Sequence, residues 1–175
     1  MIRMDGVTLL ELLLALALMA LLCCIGVPSF SSIRQEQQLL AAAHALRADI
    51  ELARHEAQQR QSSRIAIYFF TSETSWCYRV SDLPDSECNS CAAQCDLAGD
   101  GHHHGRDQSH FPQVTMEEIS YLGNEMGIGE RHGTLSPGHI RFQSGESRLK
   151  VITSGLGRVR LCGVAGSVAG VMPCN

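Results

Sequence analysis

Apolar positions dominate the start of the chain and then thin into a helical rhythm. From Val7 to Val27 the only charged side chain is Glu11. A helix of that length rises roughly 30 Å, enough to cross the hydrocarbon core of a bilayer. Pro28 follows, and a proline there weakens or kinks a helix. Beyond it Leu39, Leu40, Ala43, Leu46, Ile50, Ala53 and Ala57 recur at helical spacing, with Arg47, Asp49, Glu51, Arg54, Glu56 and Arg60 on much of the remaining surface. This pattern predicts one helix from about Thr8 to about Arg60, interrupted or bent near Gly26-Val27-Pro28. Its second half would lay an alanine-rich stripe on a sheet.

After Ser62-Ser63 the period changes to that of strands. Arg64 to Phe70 and Ser75 to Val80 read as the first two, and Glu118 to Leu122, Ile140 to Phe142, Arg148 to Ile152 and Val159 to Cys162 as later ones. Pro137-Gly138 and Ser144-Gly145 are turn signals, and Ser154-Gly155-Leu156-Gly157 reads as a hairpin loop. Between the second and third strands, Asp82 to Gln113 is rich in Asp, Gly, Ser, Cys and His and reads as one long loop. The tail from Gly163 is small and apolar, a candidate edge strand. One long helix followed by short strands predicts an α+β fold, a helix packed on a small antiparallel sheet.

Charge and cysteine content narrow the picture. The formal net charge of -4 argues against wholesale electrostatic binding to nucleic acid or acidic lipid. The charge is uneven, however: Arg141, Arg148, Lys150, Arg158 and Arg160 face only Glu146 between Gly138 and Cys162. Of eight cysteines, Cys23 and Cys24 lie in the apolar span. Cys77, Cys88, Cys91, Cys95, Cys162 and Cys174 lie beyond it, an even number that suits disulfides in an oxidising compartment. Cys88, Cys91 and Cys95 with His102, His103 and His104 also have the ligand types of a zinc site, but the even count favours disulfides. The four cysteines from Cys77 to Cys95 allow three pairings, which remain open. Asp96, Asp100 and Gly101 hint at a calcium loop without its remaining ligands. No nucleophile elbow, phosphate loop or dinucleotide fingerprint occurs, which argues against an enzyme. No cofactor or metal is expected.

Glu11 is costly inside an apolar span, and such a carboxylate reads as functional. Gly6-Val7-Thr8-Leu9-Leu10-Glu11 resembles the class III signal of type IV pilins and type II secretion pseudopilins. Ala53-Arg54-His55-Glu56-Ala57 and the stretch from Ser154 to Cys162 resemble the GspH/FimT group within that family. The resemblance implies a prepilin peptidase cut between Gly6 and Val7, N-methylation of Val7, and a Glu11 that pairs with the N-terminus of a neighbouring subunit and fixes assembly register. It implies a leader over residues 1–6, an inner-membrane and filament-core helix over 7–27, an amphipathic second half over 28–62 and a periplasmic sheet domain over 63–175. Other pilins, the pilus assembly machinery and the inner membrane are the implied partners.

Gly157-Arg158-Val159-Arg160 is similar to the Gly-Arg-x-Arg motif of FimT-type minor pilins associated with DNA binding in natural transformation. The resemblance implies non-specific binding of double-stranded DNA. Guanidiniums two residues apart share one side of an extended segment, and the glycine would let a phosphate backbone approach closely. Arg148 and Lys150 would widen the patch. FimT- and FimU-like minor pilins often close a C-terminal disulfide loop, which implies a Cys162–Cys174 bond here. The competing roles are a subunit that primes pilus assembly without binding DNA and a GspH-like secretion pseudopilin.

Overall fold

The structure is a computed structural model that describes residues 8–60, 64–84, 87–93, 95, 97, 104–130, 132–166, 168 and 170–174. Gly6, Val7, Ser62, Ser63, Asp96, Asp100, Gly101, His102 and His103 lie outside the described residues. The chain forms two compact units, Met1–Arg34 and Gln35–Asn175.

Helix α1 (Leu9–Arg60) begins in the first unit. Thr8 starts it: the Glu11 N–H donates to Thr8 Oγ1 at 3.3 Å, satisfying one of the free amides of the first turn. The leucines from Leu9 to Leu22 are exposed in the isolated chain, and so is Glu11. Of the interruption or bend expected near Pro28, the helix shows no interruption: it continues through residues 26–28, since one proline removes a single intrahelical bond and the adjoining turns keep theirs. Among the described residues no helix is long and apolar enough to cross a membrane.

In the second unit the remaining turns of α1 bury a stripe of Leu39, Ala42, Ala43, Leu46, Ile50, Ala53 and Ala57. The small residues in that stripe let the strands approach closely, as the periodicity predicts. The strand layer is two sheets rather than one. The first, in the order β3-β2-β1-β5, contains β1 (Ile65–Thr71), β2 (Trp76–Ser81), β3 (Gly105–Asp107) and β5 (Glu125–Ile128). The second, in the order β4-β6-β7-β8, contains β4 (Thr115–Ile119), β6 (Gly138–Ser144), β7 (Ser147–Thr153) and β8 (Val159–Ala165). All named pairings are antiparallel. Trp76 joins the two sheets: its ring packs on Phe142 of β6, and its Nε1–H donates to the Val114 carbonyl at 2.7 Å.

Helix and sheet are pinned by a buried polar contact. The Tyr78 hydroxyl donates to Asp49 Oδ2 at 2.8 Å, and Asp49 is only 7% exposed. Burial, then the neighbouring Asp49 charge, push the Tyr78 phenol far above its ordinary value, so it stays a donor.

The long loop is stapled by Cys77–Cys91 and Cys88–Cys95, and β3 lies inside it. Cys88 and Cys95 pack with Ala66 and Tyr68 on the outer face of the first sheet. Residues Ile65 to Phe69 of β1 are consequently buried on both faces. The loop supplies apolar cover there and the crosslinks hold it in place, a common solution where a small domain has little core to spare.

Candidate functional site

The hairpin between β7 and β8 presents the motif arginines. Its turn closes through a Gly157 N–H bond to the Ser154 carbonyl at 2.9 Å and a Ser154 N–H bond to the Arg158 carbonyl at 3.0 Å. The Arg158 N–H also donates to Ser154 Oγ at 3.2 Å. Below the turn, Tyr121 and Thr153 share a 2.8 Å hydrogen bond, and burial pushes the Tyr121 phenol up to about 12.

Gly157 does not serve the purpose expected of it. It is buried at φ +81°, and a Cβ there would lie 2.8 Å from Arg54 Nη2 and 2.8 Å from the Gly133 carbonyl. The close approach it permits is to the protein itself rather than to a phosphate. Arg54 completes that anchor, donating from Nε to Gly133 O at 3.0 Å and from Nη1 to Glu51 at 2.8 Å.

Arg158 and Arg160 are exposed. Together with His44 and Arg47 of α1, Leu161 of β8 and Met172 of the tail, they line a groove of about 720 Å³. A smaller cleft of about 330 Å³ lies between the same arginines, Ile152 and Ser154. Among the described residues none of Arg47, Arg158 and Arg160 forms an ion pair. His44 and Arg47 were not singled out from the sequence. They stand three residues apart on the polar side of α1, but only the fold reveals which strand they meet.

Arg148 and Lys150 do not widen this patch. They lie on the outer face of the second sheet, where register sets Arg141 beside both Lys150 and Glu118. Arg148 Nε is 3.4 Å from Glu117 Oε2, and Lys150 Nζ is 4.0 Å from Glu118 Oε2. Arg141 bridges both acids, with Nε 3.1 Å from Glu117 and Nη1 3.1 Å from Glu118. Desolvation raises the Glu118 carboxyl, but the His139 hydrogen bond and the Arg141 and Lys150 charges outweigh it and hold it below the ordinary carboxylate value. The three cations on this face thus share two carboxylates, Glu117 and Glu118.

Cys162 and Cys174 are bonded to each other. The bond holds the tail beside β8, where Gly163 and Pro173 form a parallel bridge. The cysteines considered as zinc ligands are all in disulfides, so none offers a thiolate. Among the described residues no group of three or more His, Cys, Asp and Glu side chains could hold a metal ion.

A helical spine packed on antiparallel sheets, with a stapled loop and a C-terminal crosslink, defines a pilin-like subunit. The family model described as type II transport protein GspH matches residues 42–157, well over half of the chain, and the chain belongs to that family. This is a structural, non-catalytic family, and the role it gives the chain is that of a minor pilin or pseudopilin that associates with other pilins and their envelope machinery. The match ends at Gly157, so Arg158, Arg160 and the Cys162–Cys174 loop lie beyond it. Neither a curated protein nor a solved structure matches the chain.

Proposed function

We propose that the chain is a FimT-like minor pilin that binds double-stranded DNA without sequence preference during DNA uptake. The observation that carries this reading is the set of guanidiniums around one groove, Arg47, Arg158 and Arg160, that form no ion pair among the described residues. Guanidiniums bind phosphate through a planar fork of donors, and such contacts fix a duplex in place without reading its bases. A few of them give weak, salt-sensitive affinity for one subunit.

The N-terminal segment acts as its sequence suggests. Prepilin peptidase cuts between Gly6 and Val7 and methylates Val7, and Glu11 then offsets the buried charge of a neighbouring N-terminus. The apolar run from Val7 to Val27 anchors the chain in the inner membrane before assembly and packs in the filament afterwards. The sheet domain lies in the periplasm, a compartment consistent with its three disulfides. Type II secretion, which the family description names, is the second reading. The C-terminal crosslink favours the pilus, because the resemblance associates that loop with FimT- and FimU-like subunits.

The test is a gel-shift titration of duplex DNA with the full chain in detergent micelles, disulfides intact, at low and moderate salt. A shift that weakens as salt rises supports DNA capture. A folded, oxidised protein that gives no shift at low salt would leave the priming subunit as the better reading.

A further inference from the structure

The groove beside Arg158 and Arg160 also exposes main chain. β8 is an edge strand, and among the described residues its only backbone pairing beyond β7 is with the tail. The Gly163 N–H donates to the Met172 carbonyl at 2.9 Å, and the Gly163 carbonyl accepts from the Cys174 N–H at 2.9 Å. Both polar groups of Gly163 therefore point away from β7. In an antiparallel ladder these groups change sides with each residue. Pairing with β7 is regular from Gly163 back to Val159, so Leu161 and Val159 also turn their N–H and C=O outward. No described group bonds them on that side.

An open, regular edge invites pairing with another chain, and proteins usually blunt it. Two other edges of this domain are blunted. The edge at β5 is bridged from Ile128 to Leu135, and β4 is broken by an irregularity between Met116 and Glu118. The Val159–Leu161 edge is instead recessed along the wall of the 720 Å³ groove. Its surroundings are cationic through Arg47, Arg158 and Arg160, and apolar through Leu161 and Val171.

We infer that this edge accepts an extended, acidic segment of a partner chain, which adds to β8 as a further strand. Side chains of an added strand alternate between two sides, so carboxylates at every second position meet the guanidiniums while apolar residues face Leu161 and Val171. Main-chain hydrogen bonds supply affinity, and the arginines select for acidic sequence. This goes beyond DNA capture, because the recognition elements are the amides and carbonyls of Val159 and Leu161.

The experiment uses the full chain in detergent micelles and a fluorescein-labelled octapeptide of alternating valine and glutamate, read by fluorescence anisotropy. Comparison peptides replace glutamate with lysine, or carry N-methyl groups on the amides of alternate residues in either register. The glutamate peptide should bind saturably, and the lysine peptide and at least one methylated register should each bind about tenfold or more weakly. Leu161→Pro removes one outward donor at a position where an edge strand tolerates proline. It should weaken peptide binding by a similar factor. Equal binding of the methylated and unmethylated peptides, or a DNA shift with no peptide binding, would overturn the proposal.

Discussion

Two groups of cations lie within one sheet of this protein, and they differ in what surrounds them. Arg148 and Lys150 sit mid-sheet, where β4 brings Glu117 and Glu118 against them. Arg158 and Arg160 sit where β8 begins, form no ion pair among the described residues, and share a groove with Arg47 from the helix. In the sequence all four form one basic stretch. In the fold one pair shares two carboxylates with Arg141, and the other forms no ion pair among the described residues. A charge contributes to binding only to the extent that the fold leaves it unpaired, which counting residues along the chain cannot reveal.

The largest expected effect separates the two pairs directly. Arg158→Ala with Arg160→Ala should weaken duplex binding about thirtyfold, roughly 1 kcal/mol for each phosphate interaction removed, whereas Arg148→Ala with Lys150→Ala should change it by less than about threefold. Quantitative gel shifts at one fixed salt concentration read both. Next comes the anchor that holds the free pair in place. Gly157→Ala forces a Cβ against Arg54 and Gly133 at positive φ and should cost about 1–3 kcal/mol in chemical denaturation, while Gly155→Ala, with open space around it, should cost far less.

A smaller effect would break the contrast deliberately. Glu117→Gln with Glu118→Gln frees the mid-sheet cations and should raise DNA affinity by about three- to tenfold. The smallest effect is on acid stability. The folded-state pKa of Glu118 is depressed, so its contribution is complete above the ordinary carboxylate value of 4.5 and is lost as pH falls through the lower folded value. Thermal melts across that acid range should show a shallower loss in the Glu117→Gln, Glu118→Gln variant than in the parent.

The helix was legible because its alanine-rich stripe keeps a helical period for many turns, and the β7–β8 hairpin because Ser154 to Gly157 carry turn chemistry. β5 was missed because it is four residues long with Gly127 inside it. β3 was missed because it has three residues and lies inside the cysteine loop. That same loop covers β1 from outside and erases the alternation a one-sided strand would show. The mid-sheet ion pairs were hidden because Glu117 and Glu118 reach Arg148 and Lys150 only through the strand order β4-β6-β7. The motif itself was easy to see, but its glycine was misassigned, since the requirement for no side chain at Gly157 comes from Arg54 on a distant helix.

The most direct test of the contrast between the two cation pairs is the salt dependence of duplex binding, measured as log K against log salt concentration. Removing one cation that neutralises a phosphate should reduce the magnitude of the slope by about 0.9. The expected result is a drop of nearly two in slope for Arg158→Ala with Arg160→Ala and an unchanged slope for Arg148→Ala with Lys150→Ala. Equal drops in the two variants would contradict it, since the mid-sheet cations would then be meeting phosphate despite their carboxylate partners.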